Sequence, residues 1–117
     1  MTPLESSERA QYAAKAALAK KANDTVILKL QGLTIIADYF LVCSGESTTQ
    51  VKAIAEHIKA EFLKKSIKPL SIDGLKYAHW VLIDYGDVVV HVFEDETRHY
   101  YELEKLWLDA PRIPVEE

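Results

Sequence analysis

Hydrophobic residues recur along this chain at two spacings, and the changes from one to the other mark out its elements. From Ser6 to Lys21 the apolar positions are mostly alanine, seven of them between Ala10 and Ala22. Ser6 and Ser7 are candidate caps, and Lys20 and Lys21 lie where a helix dipole is negative, so the segment predicts a helix. Its stripe of Ala10, Ala13, Ala14, Ala17 and Leu18 is small-sided, which permits close approach to a sheet or another helix. Asn23 and Asp24 end it. The runs Thr25–Leu30 and Tyr39–Ser44, separated by the breakers Gln31 and Gly32, are β-branched, aromatic and apolar, and both read as buried strands.

Helical spacing returns after Gly45. Ser47 and Gln50 have capping-box spacing, each side chain able to satisfy a backbone donor at a helix start. Val51, Ile54, Ala55, Ile58 and Phe62 form the buried face, leaving Lys52, Glu56, Lys59 and Lys64 toward water. Pro69 cannot continue the helix. A weak strand and a polar turn around Asp73 and Gly74 follow, and then His79–Asp84 and Val88–Phe93 flank Tyr85-Gly86-Asp87 as the arms of a hairpin. In the second arm Val88, Val90 and Val92 alternate with Val89, His91 and Phe93, so both faces are apolar enough to be covered. Glu94, Asp95 and Glu96 favour the start of a third helix carrying Tyr100, Leu103 and Trp107 at helical spacing, and Pro111 and Pro114 mark a loose tail. This order of elements predicts an α/β or α+β fold, a mixed sheet packed with helices.

Size and composition narrow the class. At 117 residues the chain can form one core burying roughly two thirds of its unfolded surface, and is too short for two. One domain over residues 1–117 is expected, with flexible tails near 1–5 and 111–117. No apolar run approaches the about 20 residues needed to cross a bilayer, and the N-terminal residues lack the basic and apolar regions of a signal peptide, so a cytoplasmic protein without membrane contact is expected. The lone Cys43 can form neither an internal disulfide nor a cysteine-rich zinc site. Charge is unevenly spread: residues 84–117 carry 3 Lys/Arg against 10 Asp/Glu, while residues 1–83 carry 11 against 8. An acidic C-terminal third repels a phosphate backbone and attracts a basic protein surface, so no direct nucleic-acid contact is expected there.

Candidate chemistry is sparse. Cys43-Ser44-Gly45-Glu46-Ser47 precedes a helix, but one glycine and an anionic Glu make neither a P-loop nor a dinucleotide fingerprint. His79, Asp84, Asp87, His91 and His99 are available metal ligands without a recognised ligand spacing, so no metal is assigned. Cys43 and His91 sit in apolar strands, where a buried thiol and a hydrogen-bonded imidazole explain them without catalysis. Asp84 and Asp87 flank a tight turn that their backbone geometry already accounts for. Trp80, Tyr85, Tyr100, Tyr101 and Trp107 crowd the acidic third, and aromatics beside charge are the usual anchors of protein interfaces.

Three segments, ADYFLVCSG (37–45), WVLIDYGDVVVHVF (80–93) and YELEKLW (101–107), closely resemble the ribosomal silencing factor RsfS family, also called Iojap. The resemblance runs from Ala10 to Pro111 in the family's order and spacing. It implies a nucleotidyltransferase-like mixed sheet. It also implies a repressor of translation that binds the large ribosomal subunit at ribosomal protein L-fourteen and blocks joining of the small subunit, with no catalysis and no cofactor. On this reading Trp80 and Tyr85, at matching family positions, contribute to the partner surface together with Tyr101, and Asp84, Asp87, Glu102 and Glu104 face a basic partner. The nucleotidyltransferase pattern, Gly-Ser followed by Asp-x-Asp, is not present: Asp84 and Asp87 are three apart and Ser44-Gly45 reverses the order. A divalent-ion-dependent transferase and a structural homodimer module are the alternatives.

Overall fold

The computed structural model describes residues 4–116, and their chain order is α1 (Ser6–Ala19), β1 (Asn23–Lys29), β2 (Tyr39–Gly45), α2 (Thr48–Lys64), β3 (Ser71–Asp73), β4 (Trp80–Asp84), β5 (Val88–Glu94), α3 (Asp95–Tyr101), a 3-10 turn (Leu103–Trp107) and β6 (Arg112–Ile113). The strands form one six-stranded sheet in the order β3-β4-β5-β2-β1-β6. Its central pair, β2 and β5, is parallel, and every other pairing is antiparallel. The class is therefore the mixed α+β arrangement that the hydrophobic pattern predicts.

Helix α1 starts one residue before its predicted serine caps: Glu5 is the cap, and its N–H donates to the Glu8 carboxylate at 3.2 Å. The alanine stripe buries as expected, except that Ala16 is inside and Leu18 faces solvent. Small side chains here let α1 lie close against both the sheet and α2. Helix α2 is capped by Ser47, whose hydroxyl accepts from Gln50 N–H at 3.1 Å. The reciprocal bond reaches one residue further back than the capping box implies: Gln50 Oε1 accepts from Glu46 N–H at 2.7 Å. The same amide donates to the carbonyl of Lys21 at 3.1 Å, so one side chain ties the start of α2 to the end of α1.

Alternation along the strands makes two cores. One face carries Ile27, Leu41, Cys43, Val81, Ile83, Val88, Val90 and Val92 under α1 and α2, with Phe62 fully buried among them. The opposite face carries Leu28, Phe40, Val42, Val89 and Phe93, covered on the β1–β2 side by Leu103, Trp107 and Ala110.

Two departures from the sequence reading lie at the C-terminal end. The third helix is not continuous: α3 stops at Tyr101, Glu102 adopts a left-handed conformation (φ 49°, ψ 50°), and Leu103–Trp107 restart as a 3-10 turn. The break swings Leu103 into the core and leaves Tyr100 in solvent, where one helix would have put both on one face. The expected tail at 111–117 also contains structure. Arg112–Ile113 pair with β1, Lys29 N–H donates to the Pro111 carbonyl at 2.9 Å, and Gln11 bonds the backbone of Pro114 and Glu116. Of the other expected tail, residues 1–3 lie outside the described residues.

Candidate protein-docking site

The second face of the sheet remains open on its β4 side, and there the aromatic residues gather. Trp80 opens β4 and is directly paired with Phe93 on β5, its indole stacked on that ring at 4.8 Å between centroids. The indole N–H donates to His91 Nδ1 at 3.1 Å. Burial pushes the His91 pKa down to about 4, so the imidazole is neutral and the proton sits on Nε2, the nitrogen that Trp80 does not use. Tyr101, at the end of α3, places its ring 5.1 Å from Trp80, and Tyr100 meets Tyr101 edge-on at 5.1 Å. Three anchors therefore fix the Trp80 ring: a stacked neighbour, a hydrogen bond and a tilted tyrosine.

These rings wall a cleft of about 640 Å³ completed by Tyr77, His79, Glu94 and Glu96. Its third tyrosine comes from the loop before β4, held close by Gly74. A Cβ on Gly74, whose φ is +85°, would lie 2.0 Å from the Trp80 carbonyl oxygen, so only glycine permits this approach. Ala78 N–H then donates to the Gly74 carbonyl at 2.9 Å, closing the turn that presents Tyr77. Tyr77, Tyr100 and Tyr101 are 69%, 80% and 53% exposed, a large accessible aromatic area for so small a protein. On the rim, Glu94 Oε1 lies 2.9 Å from His79 Nδ1.

Of the residues assigned to the partner surface from the sequence, Trp80 and Tyr101 come together here, joined by the candidate aromatic Tyr100, and the others do not. Tyr85 is 5% exposed and lies in the helix-covered core, its ring 4.3 Å from that of Phe62. The reason is the period of a strand: Trp80 and Tyr85 are an odd number of residues apart and so take opposite faces. Asp84 shares Trp80's face at the far end of β4, where its carboxylate accepts from Gly86 N–H at 2.7 Å. Asp87 pairs with Arg9 at 3.1 Å. Glu102 bonds Lys105 at 3.0 Å beyond the α3 break. Glu104 turns inward: Arg98 grips it with Nε and Nη2, both at 3.1 Å, while Nη1 donates to Ser44 Oγ at 3.2 Å. This clamp borders a second, polar cleft of about 530 Å³ at the ends of β2 and β5, in which Arg98 and Ser44 have their bonds satisfied internally.

Tyr77, Glu94 and Glu96 are missing from the candidate interface residues that the sequence supplied, and Tyr100 was among its candidate aromatics without being assigned to the partner surface. The usable signal was Gly74 three residues before Tyr77, a mark of close backbone approach that reads equally as an ordinary turn. Cys43 is buried with its pKa pushed up to about 12, which leaves the thiol protonated and inert. Among the described residues no three His, Cys, Asp or Glu side chains converge as ligands for a metal ion, and no helix is long and apolar enough to cross a membrane.

A family model described as "Ribosomal silencing factor during starvation" matches residues 3–117. A Halalkalibacterium halodurans protein named "Ribosomal silencing factor RsfS" is 46% identical over 113 residues, spanning 97% of each chain. A Bacillus subtilis protein of the same name is 50% identical over 101 residues, 86% of each chain. The crystal structure of a Chromobacterium violaceum protein, 34% identical, superposes with a TM-score of 0.86 over 89% of this chain and 87% of its own.

Proposed function

Because this chain belongs to the ribosomal silencing factor family, we propose that it represses translation in the cytoplasm by binding the large ribosomal subunit and occupying space that the small subunit needs. The carrying observation is the aromatic cleft at Trp80, Tyr100 and Tyr101 with carboxylates at its rim, where α3 meets the β4 side of the sheet face opposite α1 and α2. Rigid aromatics in a partly desolvated pocket are the usual energetic centre of a protein interface, and the surrounding acidic third suits a basic partner. Ribosomal protein L-fourteen, which the family resemblance implies, is the partner proposed. Trp80 and Tyr101 anchor the contact; Asp84 and Asp87 at the far end of β4 and Glu102 beyond the α3 break contribute to the long-range field that draws a basic partner, and Glu104 acts indirectly by fixing Arg98.

Occlusion requires no bond to be made or broken, so the proposed activity is stoichiometric and not enzymatic. In a titration of joined ribosomes, the joined fraction should fall until about one molecule is present per large subunit and recover when the protein is competed away. Persistent inactivation of subunits by a small fraction of one equivalent, surviving removal of the protein, would instead identify an enzyme. Co-sedimentation with purified large subunits tests the binding step separately.

A further inference from the structure

We infer that the cleft between Tyr77, Trp80, Tyr100 and Tyr101 is a receptor for a single basic side chain of the partner protein, an arginine by preference. The inference deepens the docking reading above and rests on it for the identity of the partner.

The composition of the cleft sets the ligand chemistry. Four π systems line it, and aromatic faces carry negative potential that attracts cations. Two carboxylates, Glu94 and Glu96, stand at its edge, and among the described residues no lysine or arginine lines it. His79 is the other titratable group present, and it lies against Glu94. An anionic guest would therefore meet carboxylates without a balancing cation, and a purely apolar guest would leave the acidic rim unused. A guanidinium satisfies both parts. Its plane stacks on a ring while its N–H groups reach a carboxylate, which a compact ammonium does less well.

Beside the cleft Lys76 Nζ lies over the ring of its sequence neighbour Tyr77, 5.4 Å from its centroid, so a guest cation at that wall competes with the chain's own lysine and the other three rings are the main receptor. Those rings leave space between them. Tyr101 is tilted 47° to Trp80 and Tyr100 stands at 84° to Tyr101, so the walls do not stack shut on one another. Because Phe93 stacking and the His91 hydrogen bond hold Trp80, this wall is fixed before the guest arrives and loses little entropy on binding.

The test uses the full chain and N-acetyl-arginine amide, with the uncharged N-acetyl-citrulline amide as its counterpart. NMR can follow the Trp80 indole N–H, with that of Trp107 as the internal reference. Arginine should shift the Trp80 signal saturably, citrulline should bind at least about fivefold more weakly, and Glu96→Gln should narrow the gap. On large subunits, Tyr101→Phe should bind at least about fivefold more tightly than Tyr101→Leu, because phenylalanine keeps the ring and leucine keeps only apolar bulk. Equal responses to arginine and citrulline would overturn the receptor, even if Trp80→Ala still weakened subunit binding and so upheld the docking site. Selective arginine binding, with subunit affinity unchanged in Trp80→Ala, would uphold the receptor and sink the docking reading.

Discussion

The two faces of the sheet are built from the same alternating strands and put to different uses. The face under α1 and α2 is a closed interior in which Ile27, Leu41, Val81, Ile83 and Phe62 have no solvent contact. The other is sealed over β1 and β2 and left partly open over β4, where Trp80 and Leu82 remain half-buried. Its inward-facing set also contains a histidine, whereas the first face is apolar and aromatic along β4 and β5. On this division the covered face is the expected main source of stability, and the proposed docking surface lies on the side where strand residues still meet water. The comparison makes separable claims about what each face contributes.

The largest effect should come from the closed face. Phe62→Ala removes a ring that touches Tyr12 and Tyr85 and should cost about 3–5 kcal/mol, measured by denaturant unfolding. A loss below about 1 kcal/mol would mean that this face is not the main source of stability. Next comes His91, whose pKa is about 4 when folded against 6.5 for the free side chain. As pH falls from 6.5 toward 4 the unfolded chain takes up a proton that the native state refuses. Stability should therefore drop by on the order of 3 kcal/mol across that window and be unaffected by this group above it. His91→Asn, which keeps an acceptor for the Trp80 indole, should flatten that part of the pH profile; an unchanged slope would assign it to other groups.

Trp80→Ala tests the open face. Affinity for large subunits should fall by at least about 2 kcal/mol while unfolding remains cooperative, and wild-type affinity would remove Trp80 from the interface. The smallest effect should come from Tyr85→Phe. The Tyr85 hydroxyl is buried without a protein partner, so its removal should leave stability unchanged or raise it by about 1 kcal/mol. Subunit binding should not change, and a loss of binding in this variant would return Tyr85 to the partner surface.

The sequence was most readable where neighbours in the chain decide the outcome. The alanine helix, the Ser47 cap and the Gly86 turn (φ +89°) all depend on local chemistry, and each lies where the pattern put it. Tyr85 was recoverable too, since strict alternation from Trp80 already assigns it to the other face; aromatic character alone obscured this. The break at Glu102 was not, because helical spacing continues through it. What accompanies the break is tertiary: Arg98 holds Glu104 while reaching Ser44, a residue more than fifty positions away in sequence. The sixth strand was hidden for a similar reason, as two residues between prolines carry almost no strand signal until β1 offers them an edge. At the site, Trp80 and Tyr101 stood out by residue type, but Tyr77 and Glu96 became part of it only when Gly74 and α3 brought distant segments to one cleft.

The outline of the sheet has one more effect, on behaviour at high concentration. Its long strands, β1, β2 and β5, have seven residues each and lie inside, while the outermost strands, β3 and β6, have three and two. A sheet that tapers in this way exposes few unpaired peptide groups at its margins, so a neighbouring molecule finds little template for extending it and edge-to-edge aggregation is suppressed. The short C-terminal strand thus acts as a guard for β1. It pairs with Ile27 and Leu28, so without it the apolar stretch Val26–Leu28 of β1 would lie on an open edge and offer a neighbouring molecule a template for strand pairing.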